Sequence, residues 1–134
     1  MRTFVMDANI VLSSLSHPRG VPGRAMRTAA RLALSDELTA EVERGLRNPY
    51  FTTGFGTEEM RTAWGVVRTA ARRVEIGVYP QVDTDPNDLH VLALARDARA
   101  EALVTGDKRL LALDPWEGTR ILRPAEFLRD FGVV

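Results

Sequence analysis

Short apolar runs alternate with helical stretches along the whole chain, and this alternation constrains the fold more than any other feature. The pattern points to an α/β fold, a three-layer α/β/α sandwich whose central parallel sheet holds about four or five strands. Strands are expected at Thr3 to Met6, Leu32 to Leu34, Val74 to Val78, Ala102 to Thr105 and Thr119 to Leu122. The Ala102 segment is the clearest, because a buried parallel strand reads as an unbroken apolar run.

The intervening stretches carry helix punctuation. Ile10 to Leu15 begins a helix that His17-Pro18-Arg19-Gly20 ends, and Gly23 to Arg31 reads as a second. Ser35 can cap a helix through Arg47, stopped at Asn48-Pro49. Phe51 to Gly56 reads as a loop, and Thr57 can cap a helix from Glu58 to about Arg73. Asp85-Pro86 starts a helix expected to reach about Arg99, with a capping acid ahead of proline at the first helical position. Asp107 to Leu113 is a short helix, and Pro124 opens the last one, through about Arg129.

The 134 residues fit one domain, 1–134, with a core of its own. With no cysteine, disulfides and thiolate metal sites are excluded. Asp7 interrupts the opening apolar run, so no signal peptide is expected there, and no stretch approaches the ~20 apolar residues of a membrane span. A cytoplasmic protein is the default expectation. The 18 basic and 18 acidic side chains cancel, which argues against nucleic-acid binding by bulk positive charge. A nuclease remains compatible, because acids clustered in one cleft offset basic residues around it. Lys108 is the only lysine, and the remaining basic side chains are arginines, which suit bidentate phosphate contacts.

Four carboxylates stand out by position. Asp7 ends the first strand and Asp107 follows the Ala102 strand. Sites in open parallel sheets gather beyond the carboxyl ends of strands, so the two acids meet if their strands are neighbours. In the Ser35 helix, Leu38, Val42 and Leu46 form an apolar stripe. Glu41 and Glu43 flank it, each roughly 100° from its centre, and Glu37 lies further round. Geometry does not choose between the two. Gly45, one turn after Glu41, weakly favours Glu41 by leaving space beside it. Asp88 lies about 50° from the centre of a stripe containing Val91, Leu92, Leu94 and Ala95, so it must be capped, paired or metal-bound. Each acid also has a plain structural reading. Asp85 reads as an N-cap, Asp88 as a dipole-favoured third residue, Asp7 and Asp107 as caps of the helices after them, and Glu41 as a boundary residue paired with an arginine. Together, though, four carboxylates repel one another without a cation. Their hard oxygens suit Mg²⁺ or Mn²⁺, and such a site supports phosphodiester hydrolysis.

At these residues the sequence resembles the PIN-domain family, and within it the VapC-like toxin components of bacterial toxin–antitoxin pairs. Phe4-Val5-Met6-Asp7-Ala8-Asn9 is similar to that family's strand followed by Asp-x-Asn. Leu38-Thr39-Ala40-Glu41-Val42 resembles its helix with an inward glutamate, which decides for Glu41. Asp85-Pro86-Asn87-Asp88 and Val104-Thr105-Gly106-Asp107 resemble its third and fourth motifs, and the ending from Ile121 to Leu128 is also similar. The resemblance implies a metal-dependent endoribonuclease cleaving RNA. Asp7, Glu41, Asp88 and Asp107 would hold Mg²⁺ or Mn²⁺, and Asn9 and Thr105 would position the site or the substrate. It also implies a cognate antitoxin partner and a homodimer. Thr105 also reads as a strand-end residue bonding locally, and Asn9 as a helix cap. His90, roughly 110° from the apolar stripe, reads as structural or solvated rather than as a ligand. One departure is visible: where relatives often carry further acids, this chain has Leu89 and Arg109.

Two rival readings differ in class. A phosphotransferase or receiver-like domain would use Asp7 as phosphoacceptor, but the dehalogenase-type pattern needs a second Asp at position 9, which is Asn, and a receiver would place its acceptor on a middle strand. A PIN-fold module that binds RNA or protein without cutting is the other. Trp64 and Trp116 are expected in the core rather than at contacts.

Overall fold

The computed structural model describes residues 2–29, 31–48 and 57–132. In chain order its elements are β1 (Phe4–Met6), α1 (Ala8–Ser16), α2 (Val21–Thr28), β2 (Ala33–Leu34), α3 (Asp36–Leu46), α4 (Thr57–Ala70), β3 (Arg72–Arg73), a 3-10 turn (Pro86–Asp88), α5 (Leu89–Asp97), β4 (Ala102–Val104), α6 (Lys108–Leu111), β5 (Arg120–Leu122) and α7 (Pro124–Phe131). The expected loop from Phe51 to Gly56 and the Pro49 stop lie outside the described residues.

Every strand pairing is parallel. β1, β4 and β5 form a three-stranded sheet in the order β1-β4-β5, with Val5 opposite Leu103 and Leu103 opposite Ile121. β2 and β3 form a second, two-stranded ladder, and one bridge between Phe4 and Leu32 joins it to β1. The four or five strands expected in one sheet thus resolve into a ladder of three and a ladder of two. β1 and β4 are buried throughout, as their unbroken apolar runs require. α5 packs on β1 and β2, α7 packs on β4 and β5, and α1 lies against α2 and α3.

Local chemistry accounts for the element ends. Ser35 caps α3 by accepting from the Leu38 amide at 3.1 Å. Gly20 is the N-cap of α2 with Pro22 in the first turn, so that helix starts two residues ahead of the expected Gly23. The strand expected at Val74 to Val78 is displaced. The ladder takes Arg72–Arg73, its last bond runs from the Val74 amide to the Leu34 carbonyl at 2.9 Å, and the Gly77 amide turns away to Asp97. α4 accordingly stops at Ala70. The helix expected from Asp85 is split: a 3-10 turn carries Asp88, and α5 runs from Leu89 to Asp97.

Trp64 and Trp116 are both buried, as expected of core residues. No helix among the described residues is long and apolar enough to cross a membrane.

Candidate functional site

Because β1 and β4 are neighbours, Asp7 and Asp107 leave the sheet side by side, and the Asp7 amide still bonds the Val104 carbonyl at 3.1 Å. Both acids cap the helices that follow. Asp7 accepts from the Ile10 amide at 3.1 Å, and Asp107 accepts from the Arg109 and Leu110 amides at 2.8 and 3.1 Å. Capping and site-building are therefore not rival explanations: the N-cap bonds use only Oδ1 of each carboxylate, and both side chains still line the cleft. Asn9 is not a cap. It sits exposed in the first turn of α1, behind Asp7.

Thr105 ties the two acids together. Its hydroxyl donates to Asp7 Oδ2 and accepts from the Asp107 amide at 3.0 Å, and its side chain is wholly buried. A strand-end threonine bonding locally was one sequence reading of this residue; the bond to Asp7 spans 98 positions of sequence.

α3 supplies the third acid and settles the choice on its flanks. Glu41 accepts from His90 Nε2 at 3.1 Å, on the cleft side. Glu43 faces α4, where it accepts from the Trp64 indole at 3.1 Å and the Arg68 guanidinium at 2.9 Å. Gly45 does not leave the space expected beside Glu41: Leu12 of α1 fills the place where a Gly45 side chain would stand. Gly45 allows α1 and α3 to pack closely and makes no room beside Glu41. His90 is buried, not solvated, because α3 covers the face of α5 that a lone helix would expose. The helical arithmetic placed its direction but not its neighbour.

Asp88, between the 3-10 turn and α5, is the fourth. Asp7, Asn9, Ser13, Glu41, Asp88, Gly106 and Asp107 line one cleft of about 320 Å³. Ser13, one turn after Asn9 on the same face of α1, was not singled out from sequence, although its i+4 spacing was the available signal.

Charge in the cleft is under-compensated. Burial pushes the Asp7 carboxyl above the usual range, against bonds from Thr105 and Ile10 that lower it; Glu41 and Asp107 add to the rise. Asp88 is pushed up to about 6, first by burial, then by the charges of Asp107, Asp85 and Asp7. No arginine or lysine ion-pairs with any of the four acids among the described residues, and the basic residues beside Asp107 do not relieve it. Arg109 turns outward to Asp83 at 3.3 Å. Among the described residues no three acidic or histidine side chains lie close enough together to hold a metal ion between them as they stand.

An acid-lined cleft at the carboxyl edge of a parallel sheet defines a class of α/β protein, and comparison places this chain within it. The model of the PIN domain matches residues 3–109, and the chain belongs to the PIN-domain family. Among solved structures it is similar to a chain of VapBC2 from Rickettsia felis, bound in that crystal to a DNA fragment from its promoter. The TM-score is 0.61 at 12% identity, covering 89% of this chain and 96% of that one. It is also similar to PAE2754 from Pyrobaculum aerophilum, with a TM-score of 0.62 at 17% identity, covering 96% and 88%. At these identities the likeness is one of fold. No curated protein matches.

Proposed function

We propose that this protein is a metal-dependent endoribonuclease, the toxin component of a toxin–antitoxin pair acting in the cytoplasm. In this reading Asp7, Glu41, Asp88 and Asp107 hold Mg²⁺ or Mn²⁺ and are the catalytic acids. The observation that carries it is the convergence of these four acids, from four separate elements, on one cleft where burial and neighbouring acids disfavour the charged forms of Asp7 and Asp88. A crowd of carboxylates without arginine or lysine partners is the setting a hard divalent cation relieves. An open cleft suits Mg²⁺, which keeps several waters and takes few protein ligands.

When bound, the cation supplies an activated water and stabilises charge on the attacked phosphate. The chain's own residues hold the frame. Thr105 fixes the second oxygen of Asp7 and the backbone of Asp107, His90 fixes one oxygen of Glu41, and the N-terminus of α1 favours negative charge at Asp7. Asn9, exposed at the cleft wall, is placed to meet the substrate. Leu89 and Arg109 leave four acids rather than more, which favours a sparse ligand set.

Family membership and the likeness to a chain of the VapBC2 complex support an antitoxin protein as partner. A homodimer belongs to the same proposal. Cleavage of a mixed RNA substrate with Mg²⁺, Mn²⁺ or EDTA, comparing the natural protein with Asp7→Asn, tests it. Metal-dependent cleavage abolished by both EDTA and the substitution is the expected result. Binding of RNA without any cleavage in Mn²⁺ would favour a binding module instead.

A further inference from the structure

A second depression opens beside the acidic cleft, and Glu41 lines both. It holds about 600 Å³, within the range of pockets that take small organic groups. One wall is a face of α3, where Ala40, Glu41 and Arg44 fall at helical spacing; across it stand Tyr79, Asn87 and His90. A strand of nucleic acid lying in the acidic cleft would continue into this groove.

Two observations bear on what the groove takes. First, Tyr79 keeps 43% of its surface exposed, on a stretch without regular secondary structure. That stretch is nevertheless pinned to α5. The Gly77 amide donates to Asp97 at 2.7 Å, and Arg96 donates to the Val78 carbonyl at 2.6 Å while pairing with Asp97. A large ring presented to solvent from an anchored backbone is pre-organised for stacking, since little freedom is lost when something lies on it. Second, Arg44 is exposed and pairs with no acid among the described residues, unlike Arg68, Arg73, Arg96, Arg109 and Arg120. A free cation and an exposed ring along one groove match the phosphate and the base face of a nucleotide. Sequence-tolerant binding of single strands combines such stacking with backbone charge.

We propose that this groove is a nucleotide subsite for single-stranded RNA. Tyr79 stacks on a base next to the scissile phosphate, and Arg44 holds the phosphate adjoining that base. The proposal rests on the ribonuclease reading of the neighbouring cleft. A protein that cuts RNA at the cleft would then read one unpaired base beside the cut, so its substrates are loops and single strands rather than duplexes.

The test uses the full chain as natural protein, Tyr79→Ala, Tyr79→Phe and Arg44→Ala, with a labelled random-sequence octaribonucleotide. Cleavage is followed in Mn²⁺, and equilibrium binding by fluorescence anisotropy in Ca²⁺. Tyr79→Ala is expected to raise KM and weaken binding about tenfold with kcat little changed, the scale of one lost stacking contact. Tyr79→Phe restores both, and Arg44→Ala weakens binding and flattens its salt dependence. If the natural protein cleaves and Tyr79→Ala matches it in KM and binding, the subsite is overturned and the nuclease stands. If nothing cleaves but Tyr79→Ala still loses binding, the subsite stands and the nuclease reading falls. If the natural protein neither cleaves nor binds, both are overturned.

Discussion

β1 is three residues long, and its two ends meet opposite chemistries. At Phe4 the ring packs edge-on against Phe127 and Phe131 of α7, at centroid separations of 4.9 and 5.2 Å, while Phe127 and Phe131 stack at 5.3 Å and Arg2 lies over the outer ring. Three residues further on, about 10 Å of extended chain, Asp7 enters a cleft of four mutually repelling acids. The aromatic corner is satisfied as it stands: Phe127 is fully buried, and each ring has a partner. The acidic corner is held by caps, by Thr105 and by His90, yet among the described residues no arginine or lysine pairs with its acids. The contrast teaches that one strand carries stabilising packing at one end and crowded, repelling carboxylates at the other. The two corners should respond oppositely to substitution.

The largest separation is expected from Asp7→Asn. Asparagine can keep the cap on Ile10, so the melting temperature should hold or rise as repulsion eases. RNA cleavage should fall about a hundredfold or more, the scale of losing several kcal/mol of charge stabilisation. A loss of folding parallel to the loss of activity would break the comparison. Phe127→Ala should do the reverse. Removing a fully buried ring costs about 3–5 kcal/mol, seen in denaturant unfolding, while the folded fraction keeps its Mn²⁺ affinity.

Thr105→Val sits between the corners. It leaves the Asp107 amide unpartnered and frees Asp7 Oδ2, at about 1–3 kcal/mol of stability, with metal affinity reduced as well. Thr105→Ser should restore both, because only the hydroxyl is used.

The smallest effect is in pH. The Asp88 carboxyl lies at about 6 in the fold against an ordinary 3.8. The fold therefore favours its protonated form. Stability from that preference is complete below the ordinary value and is lost as pH rises through about 6. Metal-free protein should melt at falling temperature across that window. Asp88→Asn should reduce the slope, and saturating Mn²⁺ should reverse it, because the cation takes the charged form.

How much of this was legible in the chain follows the same division. Parallel strands, the Ser35, Asp85 and Asp107 caps, and the meeting of Asp7 with Asp107 all derive from local punctuation and fold class, and these are present as expected. What local pattern alone left open or misplaced depended on partners far along the chain. Glu41 and Glu43 are equivalent on a lone helix, and only Trp64 and Arg68 on one side and His90 on the other separate them. His90 read as outward because a helical wheel shows no second helix. Gly45 read as space because Leu12 lies 33 positions away. Arg72–Arg73 are exposed and charged and carry no strand signal; β2 pairs with them because α4 delivers them there. The groove at Tyr79 had no signature beyond one aromatic in a loop.

The central claim is that the four acids form a divalent-cation site, and Mn²⁺ titration followed by electron paramagnetic resonance reads it most directly. The natural protein should quench the free-ion signal as Mn²⁺ binds. Asp7→Asn and Asp88→Asn should weaken that binding at least about tenfold. Glu43→Gln, two residues from Glu41 but facing α4, should bind as the natural protein does. Binding that is absent in the natural protein, or that survives both aspartate substitutions unchanged, would contradict the account.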